Sequence, residues 1–297
     1  MSDLQWLPFV WQDATLSGRH FPHAAMFVPG TLPAVDAQGW FQFDLGAPTS
    51  VLYARAFTPQ EKEGLEALQD PDHPAMFNGQ SVPRLRTALH LGDTAIEPLI
   101  WLPDFGDDDA LPNGGRVLGT VGADWVRGRV LVIDYPGQRL ARAERVPPDL
   151  EAQAAWAPLQ VGDYGHVLMQ LTVDGEPRWA VFDTGSSIFP LLTDEEQWPA
   201  LSTGEVTDTL DILAWGQTQR VQGGPLAAEV RLAGRPLPVR RVYVHVDAPN
   251  APQWTAFLRR FNMVGLMGNA PFLNGQVILD FRGGRFGMIP GGPAQEA

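Results

Sequence analysis

The stretch "AVFDTGSSIF", Ala180 to Phe189, decides how this chain is read. An apolar run ends in Phe182, and an acid, a hydroxyl and a glycine follow at once: Asp183, Thr184, Gly185. A strand ending in Asp-x-Gly is, taken alone, a common turn. A second copy changes that. "WFQFDLGAPTS", Trp40 to Ser50, lines up with "WAVFDTGSSIF", Trp179 to Phe189, so that Trp40, Phe43, Asp44 and Gly46 match Trp179, Phe182, Asp183 and Gly185. The second copy follows the first by 139 positions.

Working outward, a second matched pair appears. "TVGADWVRGRVLVIDYPGQRL", Thr120 to Leu140, and "LMGNAPFLNGQVILDFRGGRF", Leu266 to Phe286, each place a glycine (Gly122, Gly268) after apolar residues. In each, an alternating strand leads to an Asp twelve positions later, then a glycine turn and a return on Arg. Asp134 and Asp280 sit where a strand meets its turn and read as turn formers. Between the marker motifs each half carries another strand pair, "TALHLGDTAIEPLIWLP" and "AEVRLAGRPLPVRRVYVHV". Thr58-Pro59-Gln60-Glu61 has the composition of a helix capping box, as does Thr193-Asp194-Glu195-Glu196 without the proline. Asn250 is placed to cap a third helix through "APQWTAFLRRF". The Pro- and Ala-rich "ARAERVPPDLEAQAAWAPLQ" lacks alternation and reads as the connection. The expected organisation is two similar β lobes, 1–147 and 156–297, joined by a linker at 148–155, with "GGPAQEA" as a tail.

Composition narrows the classes. The 31 Gly and 27 Pro in 297 residues favour turn-rich β structure over a helical bundle. With no cysteine, a disulfide framework, thiol catalysis and Cys-ligated zinc are excluded. A net charge of −13 repels phosphate backbones, which argues against a nucleic-acid partner, and it is also simply a soluble surface. No apolar run approaches the roughly 20 residues that span a bilayer. The start has early acids and no basic segment before an apolar core, so no signal peptide is read and a cytoplasmic location is expected.

The "FDTGSS" run resembles the active-site signature of pepsin-like aspartic peptidases, and "TVG" and "LMG" resemble the segments that cross beneath the two acid loops in that family. The first lobe, with Ala47 after Gly46, is more similar to the single-lobe retropepsin version. The resemblance implies an all-β, bilobal acid-protease fold with a few short helices, and a cleft whose floor holds Asp44 and Asp183 as the catalytic pair. Gly46, Gly185 and Ser186 would shape the acid loops, Gly122 and Gly268 would lie beneath them, and Thr184 would bond across to the other lobe. Two carboxyls in contact cannot both ionise and therefore share one proton. The charged partner can then take a proton from a water that attacks a peptide carbonyl. No cofactor is implied. The implied partner is a peptide or unfolded protein, and the oligomeric state is open, a monomer being compatible.

The first lobe departs from the pattern. Leu45 stands where the family has Thr or Ser, so half of the cross-lobe lock is missing. A buried carbonyl left unpaired there would cost about 1–3 kcal/mol. Two readings follow: an active aspartic endopeptidase, or a peptide-binding or structural protein on the same fold with its chemistry lost. A two-carboxylate carbohydrate hydrolase is a third, needing a carboxyl separation of about 5–9 Å. Other features read blandly. His20 and His23 have no third metal ligand at a recognisable spacing. The Asp104–Asp109 acidic run lacks the alternating ligands of a calcium loop, and "FRGGRFG" lies between strands as a hairpin. "MFNGQSVPRL" and "LAWGQTQRVQGG" both have the composition of a hairpin able to cover a cleft.

Overall fold

The computed structural model describes residues 4–77, 79–106, 111, 114–214, 216–246 and 251–291. The Asp107–Asp109 part of the acidic run, the Asn250 cap and residues 292–297 of the tail lie outside them.

The two motif copies fold alike. Strand Glu176–Phe182 pairs antiparallel with Val167–Val173 through a two-residue turn at Asp174 and Gly175, which have φ of 48° and 86°. Asp-Gly suits that turn because both central positions need positive φ. On its other side the strand runs parallel to Met263–Met267, with Phe182 opposite Met267. Strand Ala37–Phe43 sits in the same way between Arg19–Leu32 and Val117–Val121, with Phe43 opposite Val121. Phe41 and Phe43 turn inward while Gln42 between them stays half-exposed, the alternation expected of a strand with one face in the core. Phe43, Leu45 and Phe182 are all fully buried in one apolar cluster that continues through both halves.

Strands from the start and the end of each half form one run of the larger sheet, which continues through Ala155–Val161 and Val167–Val173 into the Asp183 strand. The order of the run is Trp6–Pro8, Arg139–Ala143, Val130–Asp134, Gln276–Asp280, Arg285–Ile289, Ala155–Val161. At its centre Val130–Asp134 pairs antiparallel with Gln276–Asp280, and Val132 faces Ile278. Equivalent segments from the two halves thus face each other, as a two-fold relation requires. Asp134 and Asp280 form turns here: Asp134 accepts from the Gly137 amide at 3.2 Å and from Arg139 at 2.8 Å, and Asp280 accepts from the Gly283 amide at 2.8 Å and from Arg285.

The helices only partly follow the sequence. Pro59–Glu66 begins with the expected box, Glu61 N donating to Thr58 Oγ1 and Thr58 N to Glu61 Oε2. The Thr193 box does not form. Thr193 is strand, fully buried, and its hydroxyl donates to the Val264 carbonyl at 2.8 Å. A short helix starts later, at Trp198–Leu201, with Asp194 Oδ1 accepting from the Gln197 amide. A buried hydroxyl needs a partner, and the neighbouring strand's carbonyl outcompetes the local cap. The expected linker also has structure, a helix at Pro148–Gln153 followed directly by strand Ala155–Val161. The helix expected after Asn250 is Ala251–Arg260. Trp254, Phe257 and Leu258 give it an apolar stripe, which packs with Phe261 against Leu168, Val181, Met263 and Leu266.

Both candidate hairpins form, Gln69–Phe77 with Gln80–Leu85 and Asp208–Ala214 with Gln217–Pro225. Phe77 meets the Phe105 ring edge-on at 5.8 Å, and a side chain on Gly216 would touch the same ring from the other half. Both hairpins reach Phe105. No helix among the described residues is long and apolar enough to cross a membrane.

Candidate active site

Each acid is delivered by the same local device. The Asp44 amide donates to the Val121 carbonyl at 2.9 Å, and the Asp183 amide to the Met267 carbonyl at 3.0 Å. The chain then turns back so that loop amides face the carboxylate. Gly46 N (2.8 Å) and Ala47 N (3.2 Å) donate to Asp44 Oδ1, and Gly185 N (2.8 Å) donates to Asp183 Oδ1. Ser186 adds its hydroxyl to Asp183 Oδ2 at 2.9 Å. Glycine is needed in both loops for room. A Cβ on Gly46 would stand 2.5 Å from the Asp183 carboxyl carbon, and one on Gly185 would collide with the Asp44 carboxyl. Each loop therefore lies against the other's acid. The two carboxyls are in hydrogen-bond contact and nearly out of reach of solvent, Asp44 being 7% and Asp183 9% exposed.

The pair is not symmetric. Burial pushes the Asp44 carboxyl well above the usual carboxylate range, and the charge of Asp183 and the hydrogen bond to it push the same way. The loop amides of Gly46 and Ala47 oppose this and lose. Asp183 accepts from the Ser186 hydroxyl where Asp44 accepts from the Ala47 amide. Burial and the neighbouring charge thus favour a proton on Asp44.

Thr184 ties the lobes together. Its hydroxyl donates to the Phe43 carbonyl at 2.8 Å and accepts from the Leu45 amide at 2.9 Å. Leu45, fully buried in the core, has no hydroxyl with which to return the bond. The lock is one-sided. Thr184→Val keeps the shape and leaves both the Phe43 carbonyl and the Leu45 amide unpaired. It is expected to cost roughly 2–4 kcal/mol, read as a lower denaturant midpoint, and a shift of a few tenths would show that the lock carries little.

A solved structure has the same arrangement of chain. An aspartic proteinase from Irpex lacteus superposes with a TM-score of 0.54 over 96% of this chain and 97% of that one, at 9% identity. The chain has the acid-protease fold. No protein-family profile and no curated protein matches it by sequence.

Within this acid-protease fold the expected glycines lie beneath the loops. Gly122 N donates to Ser50 Oγ at 3.0 Å, and Gly268 N to the Phe189 carbonyl at 2.9 Å. Several buried groups that brace them escape the sequence. On the first side Asp124 accepts from Ser50 N (2.8 Å) and Ser50 Oγ (2.7 Å). On the second, Asn269 donates to the Thr184 carbonyl (2.9 Å) and Ser187 Oγ (2.7 Å), and accepts from the Tyr135 hydroxyl (2.7 Å). Asp124 follows Gly122 by two residues and Asn269 follows Gly268 by one, so comparing the halves passes over both. Tyr53, pushed up to about 12 by burial, shares a 2.5 Å hydrogen bond with Thr120 and stacks on Phe105. It carries an aromatic wall from near Asp44 to the hairpins. His166 is held below its ordinary range by burial, against the charge of Asp183, and its Nδ1 is buried without a partner among the described residues. His20 and His23 do not join the site: His23 packs edge-on against Trp11, and His20 faces Asp13 at 3.6 Å.

Proposed function

We propose that the chain is an aspartic-type endopeptidase acting on extended peptide segments, with Asp44 and Asp183 as its catalytic pair. The observation that carries this reading is the contact between two buried carboxyls whose surroundings differ. In the proposed reaction a water lies between them. Asp183 takes its proton as the water oxygen attacks the peptide carbonyl carbon, and Asp44 gives its own proton to the developing oxyanion. When the tetrahedral intermediate collapses, the C–N bond breaks. The amine leaves with the proton held by Asp183, and Asp44 recovers its own. Gly46, Gly185, Thr184 and Ser186 hold the carboxyls in place, and Gly122 and Gly268 support the loops from below. An extended segment suits a cleft edged by two hairpins, because strand-like pairing gives affinity while alternate side chains enter pockets.

The one-sided lock favours a second reading, a peptide-binding protein that keeps the fold without the chemistry. Carboxyls in contact are too close for glycoside hydrolysis, which needs about 5 Å or more. The test is cleavage of an unfolded protein between about pH 3 and 7, together with the melting temperature in the presence of a hydroxyl-bearing transition-state mimic. The endopeptidase cleaves and is stabilised by the mimic. A protein that binds extended peptides but cleaves nothing across that range is the binding protein instead.

A further inference from the structure

The helix Ala251–Arg260 and the turn at Asp194–Glu196 enclose a cavity of about 470 Å³ on the second lobe. One wall is Leu266, the residue before Met267, whose carbonyl holds the Asp183 amide. Successive strand residues face opposite ways. Met267 enters the core beneath the acid loop, while Leu266 packs with Leu192 on one side and Trp254 on the other. The cavity therefore backs onto the strand paired with the Asp183 strand.

Its chemistry is uneven. Leu192, Leu266 and Trp254 make the sides apolar. Asp194, only 5% exposed, lines the same space. One of its oxygens accepts from the Gln197 amide at 3.0 Å, and among the described residues no hydrogen bond reaches the other. Glu195 and Glu196 lie beside it, and the single guanidinium lining the cavity, Arg259, is bound to both oxygens of Glu196 while its charge also reaches Asp194. Three carboxylates thus face one engaged cation. One shared guanidinium leaves these carboxylates with an excess of negative charge, and Asp194 is the deepest of them. His245 does not offset it: burial holds its imidazole below the ordinary range, and its Nδ1 is buried without a partner, as is Trp254 Nε1.

We propose that this cavity is a specificity pocket for a lysine or arginine side chain of an extended peptide. The inference rests on the peptidase reading for its substrate and adds which residue that substrate must carry. A long aliphatic stem fits between Leu192 and Leu266, its charged head reaches Asp194, and the Trp254 ring offers its face to the cation. The net charge of −13 draws basic segments from a distance. An acidic residue would be repelled, and a neutral one would leave the excess negative charge unmet.

The test uses paired peptides that differ at one position, lysine against norleucine, which keeps the four-carbon stem and drops the amine. The substitution is walked through the positions flanking the cleaved bond. On the unaltered protein, kcat/KM is expected to favour lysine by about tenfold or more at one position. The lysine-to-norleucine ratio should fall towards one in Asp194→Asn, whose amide oxygen still accepts from Gln197. Binding of the same pairs is followed in parallel by tryptophan fluorescence. Cleavage with a ratio near one at every position overturns the pocket and leaves the peptidase standing. Lysine-dependent binding without cleavage supports the pocket and overturns the peptidase. A preference that survives intact in Asp194→Asn overturns the assignment to this cavity. Should that variant not fold, the ratio on the unaltered protein decides.

Discussion

Asp183→Asn is expected to lower kcat by roughly a thousandfold or more, because it removes the group that takes the proton from the attacking water. Asn keeps the size, its amide oxygen still accepts from Gly185 N and its NH2 can donate to Ser186 Oγ, whose hydroxyl is free to turn, so a folded but inactive protein is the expected result. Asp44→Asn should be as damaging, since an amide cannot deliver the proton that the developing oxyanion needs. The two differ in stability. Unfolded, Asp44 titrates near 3.8; folded, it is raised by burial and by Asp183. The folded chain thus holds that proton more tightly than the unfolded one. Stability from this group is full below the unfolded value and is lost as pH rises towards the folded value. Asn cannot ionise and escapes that loss. Asp44→Asn should therefore melt near the wild type at about pH 4 and clearly above it at pH 7. Activity assays and melting curves at the two pH values check both halves. A variant that still cleaves ends the pair assignment, and one that melts below the wild type at both pH values ends the account of Asp44.

Gly268→Val is expected to have the largest effect on folding. An added Cβ would collide with the Ser186 carbonyl oxygen and stand 2.9 Å from that of Phe189. Both are backbone atoms of the Asp183 loop, so no side chain can swing aside. The strand cannot retreat either, because the Gly268 amide is bonded to Phe189 and the strand is paired with the Asp183 strand through Met267. Overpacking of this kind costs about 3 kcal/mol or more, a large share of a typical stability of roughly 5–15 kcal/mol. Gly122→Val meets the Ala47 carbonyl oxygen at 2.6 Å and Thr49 N at 2.9 Å, and should behave likewise. Gly162→Ala is the control, its nearest neighbour being the tip of Leu168 at 3.4 Å. Denaturant midpoints give the comparison; equal midpoints for Gly268→Val and Gly162→Ala would remove the crossing segment from the account.

By itself the sequence determined the repeating parts. The strand before each acid, the Asp-Gly turn at 174–175, the turns at Asp134 and Asp280 and the Thr58 box each follow from propensity, periodicity or capping within a few residues, and those forces act before any distant segment arrives. Doubling of the motif carried the fold one step further, because two copies in the same order imply two similar lobes. Only the tertiary structure brought the Asp44 and Asp183 carboxyls into contact and let Thr184 bond across 141 positions to Phe43. It also recruited Asp124 and Asn269 as braces that share no spacing between the halves, and it drew Thr193 out of its local box into a strand. These choices depend on which buried hydroxyl, amide or carboxylate finds a partner once the core has closed. A short window of sequence fixes which groups a segment offers, but the segment that meets them is set by packing between stretches far apart in the chain.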